Sequence, residues 1–118
     1  MDDISALAIR LTAGHLELLD QQRLPHEERW LTIASTDELI TAIHDLSVRG
    51  APLIGVAAAL WLGELADSGC APEHWAEDAA RVRAVRPTAV NLAWAVDRML
   101  ARAEPWQPAV LVAEAAAI

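Results

Sequence analysis

The spacing of apolar residues changes character near residue 35 and divides the chain in two. Before that point apolar positions alternate: Leu7, Ile9 and Leu11, then Leu16 and Leu18 beyond a Thr12-Ala13-Gly14-His15 break. Alternation puts every second side chain on one face of a strand, so two such runs around a glycine-containing break predict a β-hairpin. Pro25 and the polar His26-Glu27-Glu28 make another break, after which Trp30-Leu31-Thr32-Ile33 predicts a third strand.

From residue 35 the period is helical. Ser35-Thr36-Asp37-Glu38 has the form of a capping box, with Ser35 as N-cap and Glu38 three residues on. Leu39, Ile40, Ile43 and Leu46 then share one face, and the helix should end near Val48, before Gly50 and Pro52. Pro52 suits the first turn of a second helix, where its missing N–H costs nothing. Residues 53–62 of that helix are apolar on every side, which predicts a central, buried position.

Asp67-Ser68-Gly69-Cys70-Ala71 closes the second helix and Pro72 opens a third, with Trp75, Ala76, Ala79 and Val82 as its inner stripe. A fourth begins after Pro87; Ala89, Leu92, Ala93, Val96, Met99 and Leu100 face inward, and Asp97, Arg98 and Arg102 outward. A fifth, alanine-rich helix starts at Ala109 and shows no stop signal, so it is expected either to be truncated or to run on into a further domain. The predicted fold is α+β. A small antiparallel sheet of about three strands (6–33) leads into a bundle of four to five helices (36–118), together one domain by length.

Composition adds exclusions. The chain is 54% hydrophobic and 22% charged, which is globular rather than disordered. Net charge is −8 and all nine basic residues are arginine. Nucleic-acid binding needs a basic face that releases phosphate counterions, so that class is not expected. The longest uncharged run, residues 50–63, is shorter than the roughly 20 residues that span a bilayer. Met1-Asp2-Asp3 does not resemble a secretory leader, and no membrane role is expected. Cys70 is the only cysteine, which fits a reducing cytoplasm.

Several residues of reactive type lack the company that chemistry requires. His15, His26, His44 and His74 are scattered, without ligand spacing, so no metal is expected. Cys70 has no base beside it, and the adjacent acid pairs read as solvated or capping groups. The five Trp read as packing residues at helical positions. Arg81, Arg83 and Arg86 form a positive cluster in an acidic background. It suits a small anion better than a polymer, although Arg81 and Arg83 equally fit a solvated helix end.

Two segments remain. In Val48-Arg49-Gly50-Ala51-Pro52-Leu53-Ile54-Gly55 an arginine and a glycine lie directly before the start of the apolar helix. A guanidinium beside two or three free backbone N–H groups, with the helix dipole behind them, is a sufficient phosphate cradle. The plain alternative is a helix–helix turn, with Arg49 paired to Asp45. Arg86-Pro87-Thr88-Ala89-Val90-Asn91-Leu92 has the same layout, with Thr88 and Asn91 as polar side chains at the next helix start. Asn91 could reach a ligand oxygen or simply bond to backbone. If the two helix starts converge, the arginines share one anion.

These two segments, with Leu18-Leu19-Asp20-Gln21-Gln22-Arg23-Leu24-Pro25 before them and Ala93-Trp94-Ala95-Val96-Asp97-Arg98-Met99 after, resemble the methylthioribose-1-phosphate isomerase family of methionine salvage. That family is related to the regulatory subunits of the translation initiation guanine-nucleotide exchange factor. The resemblance implies an aldose–ketose isomerisation of 5-methylthioribose 1-phosphate to 5-methylthioribulose 1-phosphate, with no metal or organic cofactor. It implies sugar-phosphate contacts by Arg49, Gly50, Ala51 and Arg86. It also implies that the catalytic cysteine and aspartate, and most of a homodimer interface, come from a later Rossmann-like domain not among these 118 residues. No catalytic residue is then expected here, and little turnover by the chain alone. Leu53 and Val85 depart from the family's usual alanine and serine, and neither removes a phosphate ligand. A ribose 1,5-bisphosphate isomerase of the same superfamily and a non-catalytic module binding a nucleotide or sugar phosphate are the alternatives.

Overall fold

Four strands follow one another in chain order in the computed structural model, which describes residues 4–6, 9–12, 15–19, 30–44, 51–85 and 90–117. They are β1 (Ile4–Ala6), β2 (Ile9–Thr12), β3 (His15–Leu19) and β4 (Trp30–Ile33), each antiparallel to the next. The expected hairpin is β2 and β3, and the expected third strand is β4. The sheet has one strand more than the pattern marks. β1 is three residues long, too short for alternation to register, and it exists because β2 offers it an edge.

Register explains which face is buried. Ile9 lies opposite Leu18, and Leu18 opposite Leu31, while Leu16 faces Ile33. Ile9, Leu16, Leu18 and Ile33 are buried, and Thr32, between two inward residues, is exposed. Such a row of cross-strand aliphatic pairs gives the sheet one apolar face, which meets the bundle.

The bundle comprises α1 (Thr36–His44), α2 (Ala51–Asp67), α3 (Pro72–Ala84), α4 (Val90–Ala101) and α5 (Pro108–Ala117). Ser35 caps α1, accepting the Glu38 N–H at 3.2 Å. The Glu38 carboxylate reaches back to the Ala34 N–H at 2.9 Å, one residue earlier than a standard capping box would take it. Leu39, Ala42 and Ile43 are buried and Ile40 half-buried; Leu46 and the expected end near Val48 lie outside the described residues.

α2 is the axis of the molecule, as its unbroken apolar run requires. Ile54, Ala57, Ala58, Ala59, Leu60 and Leu62 are all buried, and α2 packs on α4, α5, α3, α1 and the sheet. Small residues make this crowding possible. A side chain on Gly63 would press on Ala115 of α5, with 3.2 Å between the Cβ atoms. Gly69 takes φ +91°, the left-handed backbone that glycine adopts without strain, and turns the chain toward α3.

On α3, Pro72 occupies the first turn, and Trp75, Ala79 and Val82 are buried as expected. Ala76 is exposed, and Asp78 takes the inward place beside Ala79. Trp75 donates its indole N–H to the Leu62 carbonyl at 2.8 Å and meets Trp106 edge-on, with 5.4 Å between ring centres. On α4, Leu92, Ala95, Val96 and Met99 are buried, Ala93 is half-buried and Leu100 is exposed, so the inward stripe takes in Ala95 rather than Leu100. The tryptophans are not all helical packing residues: Trp30 lies on β4, Trp106 precedes α5, and Trp94 is 53% exposed on α4.

Candidate functional site

The described parts of the two arginine-bearing segments meet. Ala51 is the first residue of α2 and Gly55 lies one turn inside it, buried. Val90 opens α4 and Asn91 follows, its side chain exposed. A Cβ placed on Gly55 would stand 2.8 Å from the Asn91 carbonyl oxygen and 3.4 Å from Ala95 Cβ. Gly55, one turn inside α2, therefore packs directly on the first turn of α4, and a helix start is where free N–H groups and the positive end of the dipole lie. Arg49, Gly50, Arg86 and Thr88 lie outside the described residues.

The other arginines of the positive cluster are committed to carboxylates. Arg81 bonds Asp37 of α1 and also reaches Asp78, at 3.4 Å. Arg83 holds Asp97 of α4 through two contacts, at 2.9 and 3.2 Å. These hydrogen bonds raise both guanidinium pKa values and hold the Asp97 carboxyl below its usual range. Arg98 and Arg102 both engage Glu114 of α5, tying α4 to α5 and holding that carboxyl low. Arg81 and Arg83 thus serve as ties between helices.

A second polar constellation lies further along α2. Trp61 donates to the Thr36 hydroxyl at 2.8 Å, and that hydroxyl donates to Asp78 at 2.8 Å. His74 stands 3.5 Å from the same carboxylate. Beside them is a cavity of about 620 Å³, bordered by Ser35, Asp37, Glu64, Asp78 and Arg81 among others. Trp61 is ten residues along α2 from Ala51, roughly 15 Å at the helical rise. Asp37, Glu64 and Asp78 give this cavity an acidic lining, partly offset by Arg81, and it lies apart from the starts of α2 and α4.

Asp78 escaped the sequence pattern, although its spacing carried the signal. It follows Trp75 by three residues and precedes Val82 by four, which is the inward stripe of α3. Cys70 is a free, half-buried thiol whose pKa is raised by burial and by the nearby Asp78 charge. Among the described residues no three His, Cys, Asp or Glu side chains gather as a metal would need. None of the described helices is long and apolar enough to cross a membrane.

By its fold, the chain is of the class in which a small antiparallel sheet leads into five helices around an apolar central one. The 5-methylthioribose 1-phosphate isomerase of Pyrococcus horikoshii OT3 shares that fold with a TM-score of 0.82 and 27% identity, over 93% of this chain and 35% of that one. Subunit delta of translation initiation factor eIF-2B from A. fulgidus matches at 0.80 and 30% identity, over 96% of this chain and 35% of its own. In sequence, the chain is 53% identical over 103 residues to a methylthioribose-1-phosphate isomerase from Anaeromyxobacter sp. (strain Fw109-5), covering 87% of this chain and 30% of that protein. The enzyme of that name from Citrobacter koseri is 45% identical over 117 residues, 98% of this chain and 34% of its own length. No family model matches. The chain is a homologue of the methylthioribose-1-phosphate isomerases and spans about a third of their length.

Proposed function

We propose that this chain is the substrate-binding portion of a cytoplasmic aldose–ketose isomerase that converts 5-methylthioribose 1-phosphate to 5-methylthioribulose 1-phosphate. Arg49 and Arg86 grip the phosphate from two sides, and the N–H groups of Gly50 and Ala51 complete the cradle. Thr88 and Asn91 support it from the start of α4. The observation that supports this reading is the contact of Gly55, one turn inside α2, with the Asn91 carbonyl in the first turn of α4. Homology to methylthioribose-1-phosphate isomerases, at 53% identity over 103 residues for one of them, supports this substrate class.

A phosphate held in this way orients the sugar, and orientation is a large part of what an isomerase must provide. The acid and base come from elsewhere: a cysteine and an aspartate of a later Rossmann-like domain, which also carries the homodimer interface. A titration of the chain with methylthioribose 1-phosphate, ribose 1,5-bisphosphate and nucleoside monophosphates tests the reading. Preference for the first supports it, and an isomerase assay on the same chain should show little or no turnover. Indifference among the three would overturn it. The match to the initiation-factor subunit at 30% identity favours a second reading, a non-catalytic module that binds a nucleotide or sugar phosphate as effector. Preference for a nucleoside monophosphate would select it.

A further inference from the structure

We infer that the cleft between the start of α3 and the end of α4 docks a partner-protein segment that carries an arginine beside an apolar residue. Leu100, in this cleft, is ten residues along α4 from Val90, roughly 15 Å at the helical rise. The inference is therefore independent of the proposed phosphate site.

The cleft has a volume of about 550 Å³ and is bordered by Pro72, Trp75, Ala76, Leu100, Glu104 and Trp106 among others. Its walls are apolar and one lip is acidic. Ala76 is exposed and Leu100 is 36% exposed, although both have the helical spacing of core residues. Trp106 is half-buried and held edge-on against the buried ring of Trp75. Its indole N–H has no hydrogen-bond partner among the described residues. A tryptophan fixed in place, with a free donor and an open ring face, is the kind of side chain on which interfaces anchor.

Charge decides what fits. Arg81, Arg83, Arg98 and Arg102 are each engaged by a carboxylate of the chain itself. Glu104 at the lip, with Glu73 and Glu77 on the adjoining turns of α3, is exposed, and none of the three has a cation partner among the described residues. The same molecule shows what completes such a set. Arg98 lies over the Trp94 ring, 5.4 Å from its centre, while it bonds Glu114. Trp106 and Glu104 offer the same two kinds of partner on one cleft, without the arginine. An incoming arginine can lay its stem along Leu100 and Ala76, its guanidinium plane on Trp106 and its N–H fork toward Glu104. The cleft has room for an apolar neighbour of that arginine as well. An acidic segment would be repelled by the three glutamates.

The test titrates the 118-residue chain with a short capped peptide that has one arginine between two leucines. Indole N–H signals are followed by NMR, with the Trp106 signal identified by its absence in Trp106→Phe. The Trp106 signal should move, the arginine peptide should bind about threefold or more tightly than its lysine counterpart, and a glutamate counterpart should not bind. Glu104→Gln and Leu100→Ser, both at exposed positions, should each weaken the arginine peptide about fivefold. Asp67→Asn removes the same charge beside the other cavity and should stay within about twofold of wild type. Equal affinity for the arginine peptide and a norleucine counterpart would mark a plain apolar surface of the sort an adjoining domain covers. A Trp106 signal that moves with protein concentration alone would mark a contact with a second copy of the chain. Either result, no binding by wild type, or unchanged binding in Glu104→Gln would overturn the inference.

Discussion

Trp61 of α2 donates its indole N–H to the hydroxyl of Thr36, the first residue of α1, at 2.8 Å. The same hydroxyl donates its own hydrogen bond to Asp78 of α3, so one side chain joins three helices in a buried position. Removing one member of a buried polar set leaves the others desolvated and unpaired. Asp78→Ala should therefore cost about 3 kcal/mol in urea unfolding, and Thr36→Val about 2 kcal/mol. Unfolding midpoints at the wild-type value would show that water substitutes for the network.

Trp75 fixes α3 to α2 through both its ring and its N–H. Trp75→Ala should lose about 3–5 kcal/mol. Trp75→Phe keeps most of the apolar contact but removes the indole hydrogen bond to the Leu62 carbonyl, and should lose about 1 kcal/mol. The difference between the two, read from denaturant curves, separates packing from hydrogen bonding.

Arginine variants should sort by partner. Arg81→Ala and Arg83→Ala break ties to Asp37, Asp78 and Asp97, and should leave sugar-phosphate affinity within about twofold. Arg49→Ala and Arg86→Ala should each weaken it about tenfold or more, since a charge-assisted bond to phosphate is worth well over 1 kcal/mol. The reverse order by calorimetry would move the site to the α1–α3 face.

The carboxyls of Glu114 and Asp97 are held below the ordinary range, chiefly by hydrogen bonds from Arg98 and Arg83. A carboxyl with a lowered pKa in the folded state favours folding while ionised. Its contribution is complete above the unfolded value of about 4 and is lost as pH falls through the folded one. Arg98→Gln should therefore be less stable than wild type at neutral pH, and the gap should close below about pH 4. Urea midpoints collected from pH 3 to 7 provide the check. A gap that persists in acid would mean that Arg98 acts through its packing on Trp94, whose ring centre lies 5.4 Å away.

The order and type of most elements could be read directly from periodicity. Alternation at Ile9, Leu16 and Leu18 and helical spacing at Leu39, Ile43, Trp75 and Val82 each reflect a local geometric repeat. The cap at Ser35 and the proline starts of α3 and α5 are equally local, since a few neighbouring residues suffice to form them. Both halves of the proposed site rest on an equally local pattern, an arginine placed shortly before a helix start.

What the sequence determined by itself is therefore the set of parts: strands, four to five helices and an apolar axis. Only the tertiary structure decided how the parts face one another. It turned Asp78 inward and left Leu100 and Trp94 outward, because burial depends on which neighbour arrives at a face. It also set Gly55 against Asn91, residues 36 apart in sequence. A contact between distant segments leaves no periodic trace in either one, since it is a property of two helices packed together.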